Sequence, residues 1–311
     1  MATSSIHTNL IAGSQPRVAP LFGVEVVRFR HRLASTGLFT RDALARLIEA
    51  CPTEHLGIRA IVGEAPDVAR LEGILGNATG TEAIAAIEKG KIWMNIRRIM
   101  EWAPQYRSVL DSVFDELAEL VPQLKTFKRS MGVLISSPGA WVPYHADIQG
   151  QSLWQIEGEK SISIFPSSSE FISPESLERI LLREADEDIP YEHWFSNYAK
   201  KIELRSGDMI AWPLYAPHRV DNHDCLNISV TMEYWTDEIW KSYAVRYGNG
   251  VLRRTLGLRR LSTEAHGFHV YPKATSAALW KWLGRQTKGD VITERQFRID
   301  AASTTGRSQI F

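Results

Sequence analysis

Cysteine is scarce in this 311-residue chain: Cys51 and Cys225 are the only two, far apart and in no CxxC pattern. That argues against a disulfide-stapled scaffold or a cysteine-based zinc finger and leaves both as small, buried apolar residues. Long hydrophobic runs are missing as well. No apolar stretch approaches the roughly 18 residues a membrane span needs, and residues 1–20 are polar, without the apolar centre of a signal peptide. The expectation is a cytoplasmic protein with a flexible leader over 1–20 and no membrane partner. Glycine-rich phosphate loops and a GxSxG elbow are also absent, which disfavours nucleotide binding and serine hydrolysis. Net charge is zero, but it is unevenly spread: residues 241–311 hold 13 Lys+Arg against 4 Asp+Glu. Such a basic segment attracts nucleic acid, an acidic protein or an acidic substrate, or forms a solvated face balancing an acidic body. With no aromatic-interleaved or helix-turn-helix pattern beside the charge, the solvated face is preferred and nucleic acid is disfavoured.

What is present divides the chain by character. Residues 21–125 mix a short strand near Val24–Phe29 with helical stripes. Thr40 is placed to cap a helix whose apolar face is Leu44, Leu47 and Ile48, stopped at Pro52. Further helices are expected over Glu82–Glu88 and Tyr106–Leu120. From 126 to 240 the pattern becomes short and β-rich, with period-two alternation in Ser161–Phe165 and Asn227–Met232. Several such strands at short spacing indicate a sandwich or barrel. An acid-rich insertion over 167–200 interrupts them and contains one helix. Residues 241–311 read as a basic helical region whose last dozen residues are disordered. No repeat or low-complexity tract is present.

The chemistry concentrates in Tyr144-His145-Ala146-Asp147 and, far downstream, Trp212-Pro213-Leu214-Tyr215-Ala216-Pro217-His218. Two residues apart on a strand, His145 and Asp147 share a face. A third ligand from a distant strand would complete a two-His, one-carboxylate triad, which leaves three positions of an octahedral iron(II) open. An HxD pair alone is equally a surface pair or a core histidine with its orienting acid; the Ser206-Gly207-Asp208 turn and apolar strand leading to His218 supply the context for a metal.

Residues 145–166 (HADIQGQSLWQIEGEKSISIFP) resemble the core of the JmjC/cupin-like 2-oxoglutarate oxygenases, and most closely the asparaginyl hydroxylase that inhibits hypoxia-inducible factor. The resemblance extends to residues 205–218 (RSGDMIAWPLYAPH) and 227–235 (NISVTMEYW), covering roughly 130–236. It implies a mainly β double-stranded β-helix with flanking helices, and His145, Asp147 and His218 as ligands of Fe(II). It also implies Lys160, fifteen residues after His145, as the partner of the distal carboxylate of 2-oxoglutarate. Lys160 makes physical sense independently, because it shares strand parity with Ile162 and Ile164, and an ammonium buried there needs an anion; the other reading sets it on a solvent-facing hairpin beside Glu157 and Glu159.

The chain departs from the pattern at three places. Val142 replaces a Thr, Gln151 replaces an Asn near the cosubstrate, and Glu233 stands where the relatives place an Asn near the 2-oxo acid. A carboxylate beside a carboxylate repels, so Glu233 either faces outward, binds substrate, or signals a shifted cosubstrate pose. The function implied is hydroxylation of a C–H bond of a protein or peptide side chain, with release of succinate and CO2. A small-molecule oxygenase, an N-demethylase and a non-catalytic metal-binding cupin remain open. The resemblance further implies homodimerisation through the C-terminal helices, for which Trp280, Trp282 and Leu283 offer an apolar surface.

Overall fold

The computed structural model describes residues 9–12, 19–62, 69–185, 189–285 and 294–310. Most of the expected leader lies outside the described residues; its described part includes β1 (Ile11–Ala12), paired with β2 (Val27–His31), and the start of a 3-10 turn (Ala19–Leu21). The N-terminal helices begin where capping chemistry allows. Thr40 accepts from the Ala43 amide at the start of α1 (Arg41–Ala50), and β3 (Leu56–Val62) and β4 (Ala69–Ile74) follow as a hairpin. A reciprocal Thr79–Glu82 capping box starts α2 (Gly80–Lys89). After β5 (Ile92–Ile96), Pro104 occupies the first position of α3 (Pro104–Leu120), where its missing amide hydrogen costs nothing.

The β-rich segment, whose alternation indicates a sandwich or barrel, folds as the double-stranded β-helix that the resemblance implies. Its strands are β6 (Phe127–Ser136), β7 (Trp141–His145), β8 (Gly150–Glu157) and β9 (Glu159–Ile164). The insertion follows with α4 (Pro174–Leu181), capped by Ser173. Then come β10 (Lys200–Arg205), β11 (Asp208–Ala211), β12 (His218–Asn222) and β13 (Asn227–Trp235). Strands β10-β9-β12-β7 form one sheet, and β11-β8-β13-β6 face it as the centre of a larger one. Alternation divides the labour between the faces of β8, β11 and β13. Leu153, Ile210 and Trp212 point inward to meet Ile162, Ile164, Leu204 and Val220. Trp154, Met209, Val230 and Met232 point outward into a second core shared with α1, α2 and α3. At the β8–β9 turn Gly158 has φ +81°, and a Cβ there would lie 2.1 Å from the Leu226 carbonyl oxygen, so only glycine fits. Asp208 is buried and bridges Arg28 (2.5 Å) and Arg30 (2.6 Å), fixing β2 against β11.

The large sheet does not stop at the barrel. It continues through β5, β3 and β4, so the N-terminal strands and the barrel share one eleven-stranded sheet. The C-terminal region opens with α5 (Asp237–Leu256) and α6 (Val270–Trp282), packed together over the insertion. Arg253 meets Glu178 (2.9 Å) and Glu175 (3.1 Å), and Arg254 meets Glu184, so part of the basic surplus is neutralised by the acidic insertion. The expectations of a helical region to the end and of a disordered last dozen residues are corrected. β14 (Arg295–Ile299) and β15 (Arg307–Gln309) return to the large sheet, β14 running parallel to β4. Phe297 anchors this return: it is buried, and its ring fills the space a side chain on Gly73 would need (2.4 Å to a Cβ). Among the described residues no helix is long and apolar enough to cross a membrane.

Phe297→Ala is therefore expected to destabilise the protein by about 3–5 kcal/mol, measured by urea denaturation. A loss below about 1 kcal/mol would mean that the C-terminal hairpin is not part of the folded core.

Candidate metal centre

Strands β7 and β12 bring two histidines face to face. His145 pairs with His218, and Val142 pairs with Val220, so two residues on β12 oppose three on β7. The extra residue is a bulge. Without it, period-two alternation would turn His145 outward whenever Val142 faces in. With it, both imidazoles enter the barrel, their ring centroids 4.1 Å apart. His218 arrives after the Pro213–Pro217 bend, in which Tyr215 takes a positive φ of 62°, and it lies 4.7 Å, centroid to centroid, from the Trp212 ring. Asp147 corrects one detail of the sequence reading. It lies just beyond the end of β7, so a loop rather than strand alternation delivers its carboxylate.

The three side chains converge. One ligand atom from each of His145, Asp147 and His218 lies within 4.8 Å of the others, and Asp147 Oδ2 is 3.4 Å from His218 Nε2. Metal–ligand bonds of about 2 Å place neighbouring ligands roughly 3 Å apart, so little movement is needed to close on an ion. The hydrogen bonds behind the site set the tautomers. His145 Nδ1 donates to the Pro143 carbonyl (2.7 Å) and His218 Nδ1 donates to the Ala216 carbonyl (3.1 Å). Carbonyl oxygens only accept, so each Nδ1 carries the hydrogen and each Nε2 keeps its lone pair for a metal. Burial, aided by the neighbouring His145, lowers the His218 pKa to about 4, against the opposing pull of Asp147, so His218 is neutral at pH 7. Asp147 Oδ2 is buried without a hydrogen-bond partner. An orphaned carboxylate oxygen aimed at two free imidazole nitrogens fits a divalent cation.

Lys160 sits on β9 with 3% of its surface exposed, on the inward face rather than on a solvent-facing hairpin. It lines a narrow cavity with Trp93, Leu134, Leu153 and, from the strands that carry the histidines, Val142 and Val220. No described carboxylate pairs with its ammonium, and burial lowers its pKa to about 7. Because β12 pairs His218 with Ile164 and Asn222 with Lys160, the histidines and the lysine mark two levels of the same strands, about 13 Å apart in backbone rise.

Gln151 and Glu233 are cross-strand partners on β8 and β13, at positions whose side chains face the smaller sheet. Gln151 Oε1 is buried and unpartnered. Of the three readings of Glu233, the outward one is ruled out. Burial, then repulsion from Asp147, raises its pKa to about 7, while Arg98 pulls the other way. Of the aromatic residues near the motifs, Trp141 lines the cavity, whereas Trp154 and Tyr234 belong to the outer core. Tyr144 and Tyr215 pack beneath the insertion. His223 lies at the surface, 3.0 Å from Glu203. Trp93 and Arg98 were not singled out from sequence, because β5 and the turn after it carry them and reach the barrel only through the shared sheet.

No family model and no curated protein sequence matches the chain. Solved structures do. The X-ray structure of YcfD from Escherichia coli superposes with a TM-score of 0.51 at 14% identity, covering 90% of this chain and 69% of that one. A second structure, of YcfD as a ribosomal oxygenase in complex with cobalt and 2-oxoglutarate, gives 0.50 at 14% identity over 89% and 68%. The chain shares their fold.

The unpaired lysine has a measurable signature. Its folded pKa of about 7 lies below its ordinary 10.5, so between those values the unfolded chain binds more protons and the stability of the ligand-free protein rises with pH. Lys160→Met is expected to remove most of that rise and to stabilise the ligand-free protein by about 1–3 kcal/mol at pH 7. Urea denaturation at pH 7 and pH 9.5 checks both, and a destabilised Met variant would show that Lys160 has an unseen partner.

Proposed function

We propose that the chain is an Fe(II)/2-oxoglutarate-dependent dioxygenase that hydroxylates a C–H bond in a protein or peptide side chain. One observation carries this reading: a converging His145–Asp147–His218 set shares its barrel with a buried, unpaired Lys160. Supporting it are the resemblance of residues 145–166 to the JmjC/cupin-like oxygenases and the shared fold with a structure that holds cobalt and 2-oxoglutarate. The protein-substrate assignment draws on YcfD being described as a ribosomal oxygenase.

In this reading His145, Asp147 and His218 hold the iron, and Lys160 supplies the positive charge that receives the far carboxylate of 2-oxoglutarate. Iron(II) with 2-oxoglutarate supplies the oxidising power: one atom of O2 enters succinate as CO2 leaves, and the other becomes the substrate hydroxyl. The protein orients the reactants and excludes water. Pro143 and Ala216 keep the two Nε2 atoms deprotonated, and Trp212 packs against His218. Residues 126–240 form the catalytic core, and the protein acts in the cytoplasm. We also infer that two copies pair through the C-terminal helices, where Trp282 (80% exposed) and Tyr271 (70%) leave an uncovered apolar face.

Anaerobic addition of iron(II) and 2-oxoglutarate should produce a visible charge-transfer band. Lys160→Ala should weaken 2-oxoglutarate binding by about tenfold or more, and His145→Ala should abolish the band with the far-UV circular dichroism intact. A wild-type protein that gives no band refutes the reading. For the dimer, light scattering should report two chains for the wild type and one for Trp282→Glu; a monomeric wild type ends that part of the proposal.

A further inference from the structure

Among the described residues the barrel interior carries two charged side chains without partners, one near the hairpin turn and one near the level of the metal-ligand set. The β8–β9 hairpin fixes the direction. Lys160 is next to the hairpin turn at Gly158, whereas Ile164, His218 and His145 lie toward the other end of the smaller sheet. On the large sheet Glu233 pairs with Gln151, next to the first residue of β8 and thus at the end remote from the turn. A cosubstrate that reaches from the triad to Lys160 runs toward the turn. Glu233 lies at the end it leaves free.

Among the described residues no cation at that end pairs with Glu233. Its carboxylate forms no hydrogen bond or ion pair with any described residue. The charges it feels are Asp147, which repels it, and Arg98, an exposed residue already paired with Glu101. It is not a fourth metal ligand, because it is not among the side chains whose ligand atoms converge. Beside it the Gln151 Oε1 is a second unpartnered acceptor. Two acceptors, one of them a carboxylate, half-buried beside the metal-ligand set, suit a donor-rich cation and reject an anion. Lys160 on the cosubstrate side is the reverse case.

We propose that Glu233, with Gln151 beside it, determines substrate specificity by receiving a cationic side chain, lysyl, arginyl or protonated histidyl, of the protein substrate. This rests on the oxygenase reading above, and it assigns Glu233 to the substrate rather than to 2-oxoglutarate.

The test uses the full chain with Zn(II) and 2-oxoglutarate, which allow binding without turnover. Fluorescently labelled peptide pools, each with one fixed central residue and randomised flanks, are titrated by anisotropy. The Lys and Arg pools should bind about tenfold more tightly than the Met and Gln pools. In the near-isosteric Glu233→Gln this gap should shrink below about twofold, and in Glu233→Lys the preference should move to the Asp and Glu pools. A wild type that binds no pool, or all pools equally, overturns the inference, as does a Lys and Arg preference that survives Glu233→Gln. The iron(II)/2-oxoglutarate band, read on the same wild-type preparation, separates the two levels. A band with charge-blind binding sinks this inference alone. A charge preference that depends on Glu233 but comes without a band supports the cation site and removes the oxygenase reading.

Discussion

The pairing of His145 with His218 across β7 and β12 is the contact on which the rest of the site depends. It holds only because β7 carries one residue more than β12 between this pair and the next, Val142 with Val220. That extra residue lets an apolar side chain and a metal-seeking one enter the barrel three positions apart. The same local geometry puts each backbone carbonyl two residues upstream within reach of its histidine's Nδ1, so strand pairing also fixes which nitrogen remains free. Burial then keeps His218 neutral. Register, tautomer and protonation state thus follow from one pair of strands, with no separate device for each.

Much of this could be read from the chain. Period-two alternation announced β9 and β13, Thr40 marked the start of α1, and strand parity with Ile162 and Ile164 placed Lys160 inside the barrel. Each is a local signal, and local signals survive in a single sequence. What failed to show was non-local. β14 is five residues, Arg295-Gln296-Phe297-Arg298-Ile299, three of them polar and exposed around two buried side chains. Its pairing with β4 spans more than two hundred positions, and neither strand alone reveals the other. Continuity of the large sheet was hidden for the same reason, and with it the contribution of Trp93 and Arg98 to the barrel. Asp147 shows the opposite error: alternation was applied one step past the end of a strand, where the right convergence arises from a turn.

The barrel interior also holds polar residues that have nothing to do with a ligand, and comparison with them gives the unpaired ones their meaning. Gln155 donates to the Glu157 carbonyl (2.6 Å) and to Asn227 Oδ1 (2.8 Å), and its own oxygen accepts from Ser229 (2.7 Å). Asn227 in turn donates to the Cys225 carbonyl (3.0 Å). This network closes on itself at the hairpin end, as buried polar groups do when their task is to fix a strand register. Gln151, four residues earlier on the same strand, has the same side chain and an unpartnered oxygen.

The contrast is chemical, since one fold supplies both environments. Asp147, Gln151, Lys160 and Glu233 leave polar atoms unmatched within one barrel, although the fold satisfies Gln155 and Asn227 a few residues away. Unmatched buried groups cost the folded state roughly 1–3 kcal/mol each, more when charged. Other buried polar atoms without a partner, on Trp102, Tyr215, Arg246, Tyr247, Asn249 and Arg307, lie away from the barrel interior and show no common sign. Within the barrel, by contrast, two carboxylates, an amide oxygen and two imidazole lone pairs gather at one end, and a lone ammonium occupies the other. A metal cation satisfies the first set in part and a dicarboxylate satisfies the ammonium. Once those are accounted for, the carboxylate of Glu233 is the charge left over, and its sign and place describe the partner it requires.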